Sequence, residues 1–176
     1  MGYFMTSDTH FGHTNILTFE TETRPFKTVE EMNEKLIENW NGVVKSDDTV
    51  YVLGDMFMGS LDLIDEIMPR LNGKKVLIRG NHDTKKRIER YAPYFESIHD
   101  IYHLKVGKQM YALCHYPMRE WFAKDHGAIH LYGHVHSNDH RGGVSIEPNS
   151  FHVGVDTNNL TPIRLEDIKN KFAEVL

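Results

Sequence analysis

Cysteine is nearly absent from this chain: 176 residues carry one, Cys114. A single thiol forms no internal disulfide and no cysteine-rich zinc site. The chain fits a reducing compartment, and a cytoplasmic location is the expectation. Long apolar runs are also missing. No stretch approaches the ~20 residues that a membrane span needs. Met1–Ser7 has neither the basic flank nor the apolar segment of a signal peptide, so no membrane partner is expected. The first residues do match the Met-Gly-x-x-x-Thr form that accepts a myristoyl group. Tyr3–Met5, however, reads as a buried strand that the fold needs inside. Nor is there a surplus of positive charge: Lys plus Arg is 20 against 25 for Asp plus Glu, a net charge of −5. A chain of that balance has no general attraction for nucleic acid or anionic lipid. Repeats, low-complexity tracts and long linkers are absent, and the length reads as one domain over residues 1–176 with a core of its own.

What the chain has in quantity is histidine, 12 residues of it. The pattern alternates strands and helices. Strands are expected at Tyr3–Ser7, Thr49–Leu53, Lys75–Arg79, Gln109–Cys114, Ile129–Tyr132 and Phe151–Val155, with a hairpin about Gly107-Lys108 joining Ile101–Lys105 to Gln109. Val29–Trp40 is the clearest helix: Val29, Met32, Leu36, Ile37 and Trp40 share one face, Thr28 and Glu31 form a capping box, and Asn41-Gly42 ends it. Ser60 is placed to cap a second helix that Pro69 bends or ends. Thr84–Tyr91 reads as a short basic helix, and Ile168, Phe172 and Val175 as the stripe of a last one.

Each strand ends on ligand-type residues. Tyr3–Ser7 runs into Asp8-Thr9-His10, Thr49–Leu53 into Gly54-Asp55, and Lys75–Arg79 into Gly80-Asn81-His82-Asp83. Gln109–Cys114 runs into His115, and Ile129–Tyr132 into Gly133-His134-Val135-His136. In layered α/β folds, ligands bind outside the carboxyl ends of the strands, so five strand ends can deliver these groups to one point. Asp8, His10, Asp55, Asn81, His115, His134 and His136 are too many for one tetrahedral ion and suit two ions that share a carboxylate. Imidazole and carboxylate without thiolate favour Mn, Fe, Zn or Ni, with Mn the expected metal. Two such ions ~3.5–4 Å apart form a clamp for phosphoester hydrolysis. They also leave a locally positive centre in a negative protein, as an anionic substrate requires.

The ordered set Asp8-x-His10, Gly54-Asp55, Gly80-Asn81-His82-Asp83, His115 and Gly133-His134-x-His136 resembles the calcineurin-like metallophosphoesterase superfamily. All five blocks occur in order across residues 8–136. The extended first block, Asp8 to Ile16 with Arg24-Pro25-Phe26, and the Val153-Gly154-Val155-Asp156 ending are similar to a small bacterial or phage-type branch. The resemblance implies a four-layer α/β/β/α sandwich with the metal site at the strand carboxyl ends. It implies one ion on Asp8, His10, Asp55 and His136, and a second on Asp55, Asn81, His115 and His134. A bridging hydroxide would attack phosphorus in line, with His82 assisting the leaving group. It leaves the ester open: phosphodiester or phosphomonoester, small or accessible. A nuclease, a phosphoprotein phosphatase and a non-catalytic metal-binding scaffold are the rivals.

Around that set stand residues with two readings each. Asp83 either orients His82 or caps the helix that follows. His13, one turn beyond His10, contacts phosphate or caps a loop. Arg24 clamps phosphate with its guanidinium fork or sits on the surface before Pro25. Arg79, Arg119 and Arg141 are weaker candidates for the same role. Lys85-Lys86-Arg87 is a solvated helix face or a phosphate-lined path. His99, His103, His126, His130, His140 and His152 are read as structural. Tyr116, Trp121 and Phe122 form a wall for a base or ordinary packing. Cys114 has no partner in the sequence that would make it a nucleophile.

Overall fold

A computed structural model gives the architecture and describes residues 1–137 and 148–173. His140, Arg141 and Val175 lie outside the described residues, as does the side chain of Phe172. The alternation resolves into two sheets. β1 (Tyr3–Thr6), β2 (Thr49–Val52), β3 (Lys74–Ile78) and β4 (Ser97–His99) run parallel in the order β4-β3-β2-β1, and β9 (Ile163–Arg164) closes that sheet antiparallel to β1. The second sheet begins with the expected hairpin of β5 (Ile101–Val106) and β6 (Gln109–Cys114). β7 (Ile129–Tyr132) and β8 (Ser150–His152) then add parallel to β6.

Strand alternation assigns the faces. Phe4, Val50, Val52 and Leu77 pack with Met32, Leu36, Ile37 and Trp40 of α2 (Val29–Val43) and with Ile64 and Ile67 of α3 (Asp62–Ile67). The residues between them, Met5, Tyr51, Val76 and Ile78, point the other way and meet Leu104, Tyr111, Leu113, Ile129 and Leu131 of the second sheet. Leu165 and Ile168 of α5 (Leu165–Ala173) join this inter-sheet core. On the far face of the second sheet, Ala112 packs with Trp121 and Ala128 of the following segment. Helices α2 and α3 thus cover one face of the first sheet, and the second sheet packs on the other.

Some helix ends differ from expectation. Thr28 caps α2 through its side chain, which accepts from the Glu31 N–H at 3.2 Å, while Glu31 turns back to the Lys27 N–H at 3.0 Å. The helix does not stop at Asn41-Gly42. It continues to Val43, because Asn41 is held by Arg70 O and the Asn72 N–H rather than free to form a turn. Ser60 does not cap α3; the helix begins after Leu61 with no side-chain cap. Pro69 sits in a short 3-10 turn, Met68–Arg70, that ends it as foreseen.

Parallel pairing puts the carboxyl ends of β1, β2 and β3 on one edge, and β6 and β7 bring theirs to the same place. Ser7 bridges to Gly154, and the Val155 N–H donates to Ser7 O at 3.1 Å, which ties the two sheets together there. α1 (Ile16–Phe19) and α4 (Lys85–Tyr91) follow directly from two of these strand-end loops.

Candidate metal centre

The loops after the strands are forced into an uncommon backbone conformation. Asp8, His10, Asp55, His134 and His136 all have positive φ, between 50° and 74°. A non-glycine residue there carries strain of about 1–3 kcal/mol, and such residues cluster at functional sites. Neighbouring loops hold the geometry: the Asp8 N–H donates to Gly54 O at 3.1 Å and the His10 N–H to Asp55 O at 3.1 Å. Gly54 has φ +90°, and a Cβ on it would sit 2.5 Å from the Gly80 nitrogen. Two backbones meet here at a separation that only glycine permits.

The side chains form two groups. Asp8, His10 and His136 make one, and Asp55, His115 and His134 the other; within each group the ligand atoms lie within 4.8 Å of one another. Asp8 Oδ1 is 3.9 Å from His10 Nε2 and 4.0 Å from His136 Nε2. Asp55 Oδ2 links the groups, at 3.9 Å from His10 Nε2 and 3.4 Å from His115 Nε2. Asn81 joins the second group: its Oδ1 is 3.0 Å from His115 Nε2, which in turn is 3.2 Å from His134 Nδ1. The seven residues proposed as ligands from the sequence are therefore side by side.

Backbone and carboxylate partners orient the imidazoles. His115 Nδ1 donates to Leu53 O at 2.7 Å and His136 Nδ1 to Asp156 Oδ2 at 2.8 Å, so each ring turns its Nε2 into the site. Such outer partners fix tautomer and direction in metal sites. Asp8 Oδ1 and both ring nitrogens of His10 are buried with no hydrogen-bond partner. Buried polar atoms left in that state are costly, and a cation between Asp8 Oδ1 and His10 Nε2 would satisfy those two. The donors are imidazole, carboxylate and amide oxygen, a set that suits first-row divalent ions.

Burial and the mutual charges of the cluster set its protonation in the metal-free state. Burial pushes the Asp8 carboxyl up, against the pull of His115 and His136. Burial drives His10 well below the usual histidine range, helped by the charge of His136. Burial would also raise Asp55, but the hydrogen bond and charge of His115, with the His82 N–H, hold it at about 2. His115 answers in the opposite direction: burial lowers it, and the Asp55 hydrogen bond with the charges of Asp8 and Asp55 lifts it to about 9.

His82 lies at the rim of the site. Its N–H donates to Asp55 Oδ1 at 2.8 Å, its Nε2 is 3.9 Å from Asp55 Oδ2, and its side chain is 42% exposed. His13 stands beside His10, ring to ring at 5.3 Å, with its Nδ1 buried and unpartnered. Burial and the nearby charge of His82 lower its pKa, so the ring is neutral near pH 7.

Three expectations need correction. Arg24 is neither a phosphate clamp nor a surface residue. Its guanidinium is fully buried and spent on Asp156 (2.7 and 2.9 Å), Thr9 O (2.9 Å) and Asp8 O (2.6 Å). Asp83 holds backbone groups and Tyr91 rather than the His82 ring, and Thr84 takes the N-cap position of α4. Asp83 accepts from the Gly80 and Asp55 N–H groups at 2.8 and 3.0 Å and from Tyr91 Oη at 3.2 Å, and so pins the two loops together. Arg87 does not belong to a solvated face, because its guanidinium reaches back to His82 O, Met58 O and Gly59 O. Among the weaker candidates, Arg79 is paired with Asp100. Asp156 is the residue whose role went unassigned. The Val-Gly-Val-Asp ending contains it, but nothing in the sequence joins it to Arg24 or His136.

Residues 1–147 match the family model described as the calcineurin-like phosphoesterase superfamily domain. An uncharacterised protein of Methanocaldococcus jannaschii is 35% identical over 170 residues, 93% of this chain and 86% of that protein. The Gene 66 protein of Mycobacterium phage L5 is 30% identical over 186 residues, 87% of this chain and 86% of its own length. Among solved structures, a protein of unknown function from Aquifex aeolicus superposes with a TM-score of 0.79 at 27% identity, over 96% of this chain and 98% of that one. A Pseudomonas putida nuclease shares the fold at a TM-score of 0.51 and 20% identity, over 76% of this chain and 61% of its own.

Proposed function

The chain belongs to the calcineurin-like phosphoesterase superfamily, and we propose that it is a binuclear metal-dependent phosphoric ester hydrolase. The observation that carries this reading is the pair of three-donor groups joined through Asp55, with buried donor atoms that have no other partner. Asp8, His10, Asp55 and His136 would hold one divalent ion, and Asp55, Asn81, His115 and His134 the other. When bound, the two ions activate water for in-line attack on phosphorus and neutralise charge on the phosphate oxygens.

The chain's own groups do the rest. As the bond from water oxygen to phosphorus forms and the ester P–O bond breaks, His82 at the rim gives its proton to the departing alkoxide. Its backbone hydrogen bond to Asp55 keeps it in place. His13, neutral and beside His10, offers a ring N–H to a phosphate oxygen. Asp83 keeps the His82 turn against the Asp55 loop.

Hydrolysis of bis-p-nitrophenyl phosphate and p-nitrophenyl phosphate by metal-stripped protein refilled with Mn, Zn, Fe or Ni tests the proposal. Metal-dependent release that drops in His82→Ala supports it, and the preferred ester separates diesterase from monoesterase. No release with any metal, at two ions bound per chain, would favour the non-catalytic scaffold instead.

A further inference from the structure

Resting on that reading, we propose that Phe19 and Tyr116 select the substrate: the ester carries a planar aromatic group, a nucleobase or an aryl ring, that stacks on these side chains beside the metal centre. Aromatic side chains among the described residues are otherwise buried or partly buried. Among the described residues, three are exposed: Phe19 at 65%, Tyr116 at 44% and Phe122 at 60%. Phe122 packs on His103, which belongs to neither donor group. The other two lean on histidines of the site itself.

Phe19 meets the ring of His13 edge-on at 6.2 Å, and His13 in turn faces His10 of the first donor group. Tyr116 packs edge-on against both His115 and His134 of the second group, each at 4.9 Å. Tyr116 therefore stands directly on the second donor group, and Phe19 reaches the first through His13. Neither is there to fill the core. Phe19 ends α1, whose inward residue is Ile16, and the Phe19 N–H is held by Asn15 O. Tyr116 sits on a turn anchored two residues later, where the Met118 N–H donates to His130 Nε2 at 3.1 Å. That contact requires a neutral His130, whose Nδ1 donates to Ala112 O at 2.9 Å. Burial favours the neutral state. Both rings are thus presented to solvent from fixed backbones, with a free face beside a centre built for phosphate. Every base and aryl group offers a π-face to such a surface. Exposed rings on a chain of net charge −5 fit a small ester better than a long polyanion.

The test is calorimetric binding of non-hydrolysable ligands to the manganese-loaded protein: the methylene phosphonate analogue of AMP, benzylphosphonate, propylphosphonate and inorganic phosphate. The aromatic ligands should bind at least about tenfold tighter than propylphosphonate, a size set by stacking on one or two rings. Tyr116→Leu and Phe19→Leu should erase most of that preference and leave inorganic phosphate and propylphosphonate within twofold. Tyr116→Phe should keep it. A stronger response to the AMP analogue identifies a nucleobase, and a stronger response to benzylphosphonate identifies an aryl group next to phosphorus. Equal affinity for aromatic and aliphatic ligands overturns the inference and leaves the hydrolase reading intact. So does a uniform loss of all four ligands in the leucine variants. Failure of inorganic phosphate to bind the loaded wild-type protein would instead count against the hydrolase reading itself.

Discussion

Replacing Arg24 by methionine asks whether that residue serves the substrate or the fold. The guanidinium is wholly buried, and its partner Asp156 is buried as well. It donates twice to that carboxylate and once each to Asp8 O and Thr9 O. Methionine fills similar space without the charge. Asp156 then keeps only the His136 ring and the Thr23 hydroxyl, and two carbonyls lose their donor. Removing one partner of a buried ion pair costs about 3–5 kcal/mol. For a chain of this size that corresponds to a fall in Tm of about 6–20 °C. Asp156 adds a pH signature. Burial would raise its carboxyl, but hydrogen bonds from His136 and Arg24 and the Arg24 charge hold it far below the usual range. A depressed carboxylate contributes stability above the unfolded-state pKa of about 4 and loses it as pH falls. Arg24→Met should therefore also move acid unfolding to higher pH. Thermal melts followed by circular dichroism at pH 7 and across an acid series measure both effects. A second change, Asp156→Asn, removes the stranded charge and should return part of the loss. A variant that melts within about 2 °C of wild type while its KM rises would refute the reasoning and return Arg24 to the phosphate.

Other expectations concern the centre itself. His82→Ala should keep two ions per chain and lose about 10²–10⁴-fold in turnover; unchanged rates on an ester with a poor leaving group would remove His82 from proton transfer. Asp55→Asn should weaken both ions together, because that carboxylate faces both groups, and native mass spectrometry that finds two ions at wild-type affinity would contradict the sharing. His115 must lose its proton to ligate, and without metal its pKa is about 9. Metal affinity should therefore climb by about tenfold per pH unit for each displaced proton and level off near pH 9. The stability of the metal-free protein should run the other way, present below about pH 6.5 and lost as pH rises through about 9; parallel titration and melting curves check the two signs. Gly54→Ala should destabilise by more than the ~1 kcal/mol that a compatible exchange gains, since φ is +90° and the Gly80 backbone occupies the space; urea unfolding at an unchanged midpoint would show that the loops can part.

The strand-end residues were legible because their signals are local. Asp8-x-His10 or Gly80-Asn81-His82 follows an apolar run within a few positions, and parallel pairing then assembles what the chain spells out separately. β6 and β7 fall at the expected bounds for the same reason. The supports of those residues were not legible. Arg24 and Asp156 are 132 positions apart and meet only when the two sheets dock. A charged residue beside a proline looks exposed until its partner is known, and Arg24 was misread on that ground. Asp83 was assigned by its neighbours in sequence, whereas its partners include the Asp55 N–H, 28 positions away. The short β4 and β9, three and two residues long, have too few positions to display a period. Strain at Asp8, His10, Asp55, His134 and His136 leaves no mark in composition, because asparagine- or glycine-like signals are absent where the surrounding structure imposes the conformation.

The seam between the sheets bears on the order in which the protein matures during synthesis. The segment up to residue 100 can lay down the parallel strands β1 to β4 and already carries Asp8, His10, Asp55 and Asn81. His115, His134 and His136 emerge later, and the carboxylate that aims His136 is at position 156, beside the Ser7–Gly154 bridge that closes the seam. A nascent chain thus exposes three of the four residues proposed for the first ion and two of the four for the second before it can complete either set. Ions captured early would meet an incomplete, acid-rich cradle with little selectivity. On the two-ion reading, loading would be a late event, one that a ribosome-bound fragment stalled before residue 156 should be unable to perform.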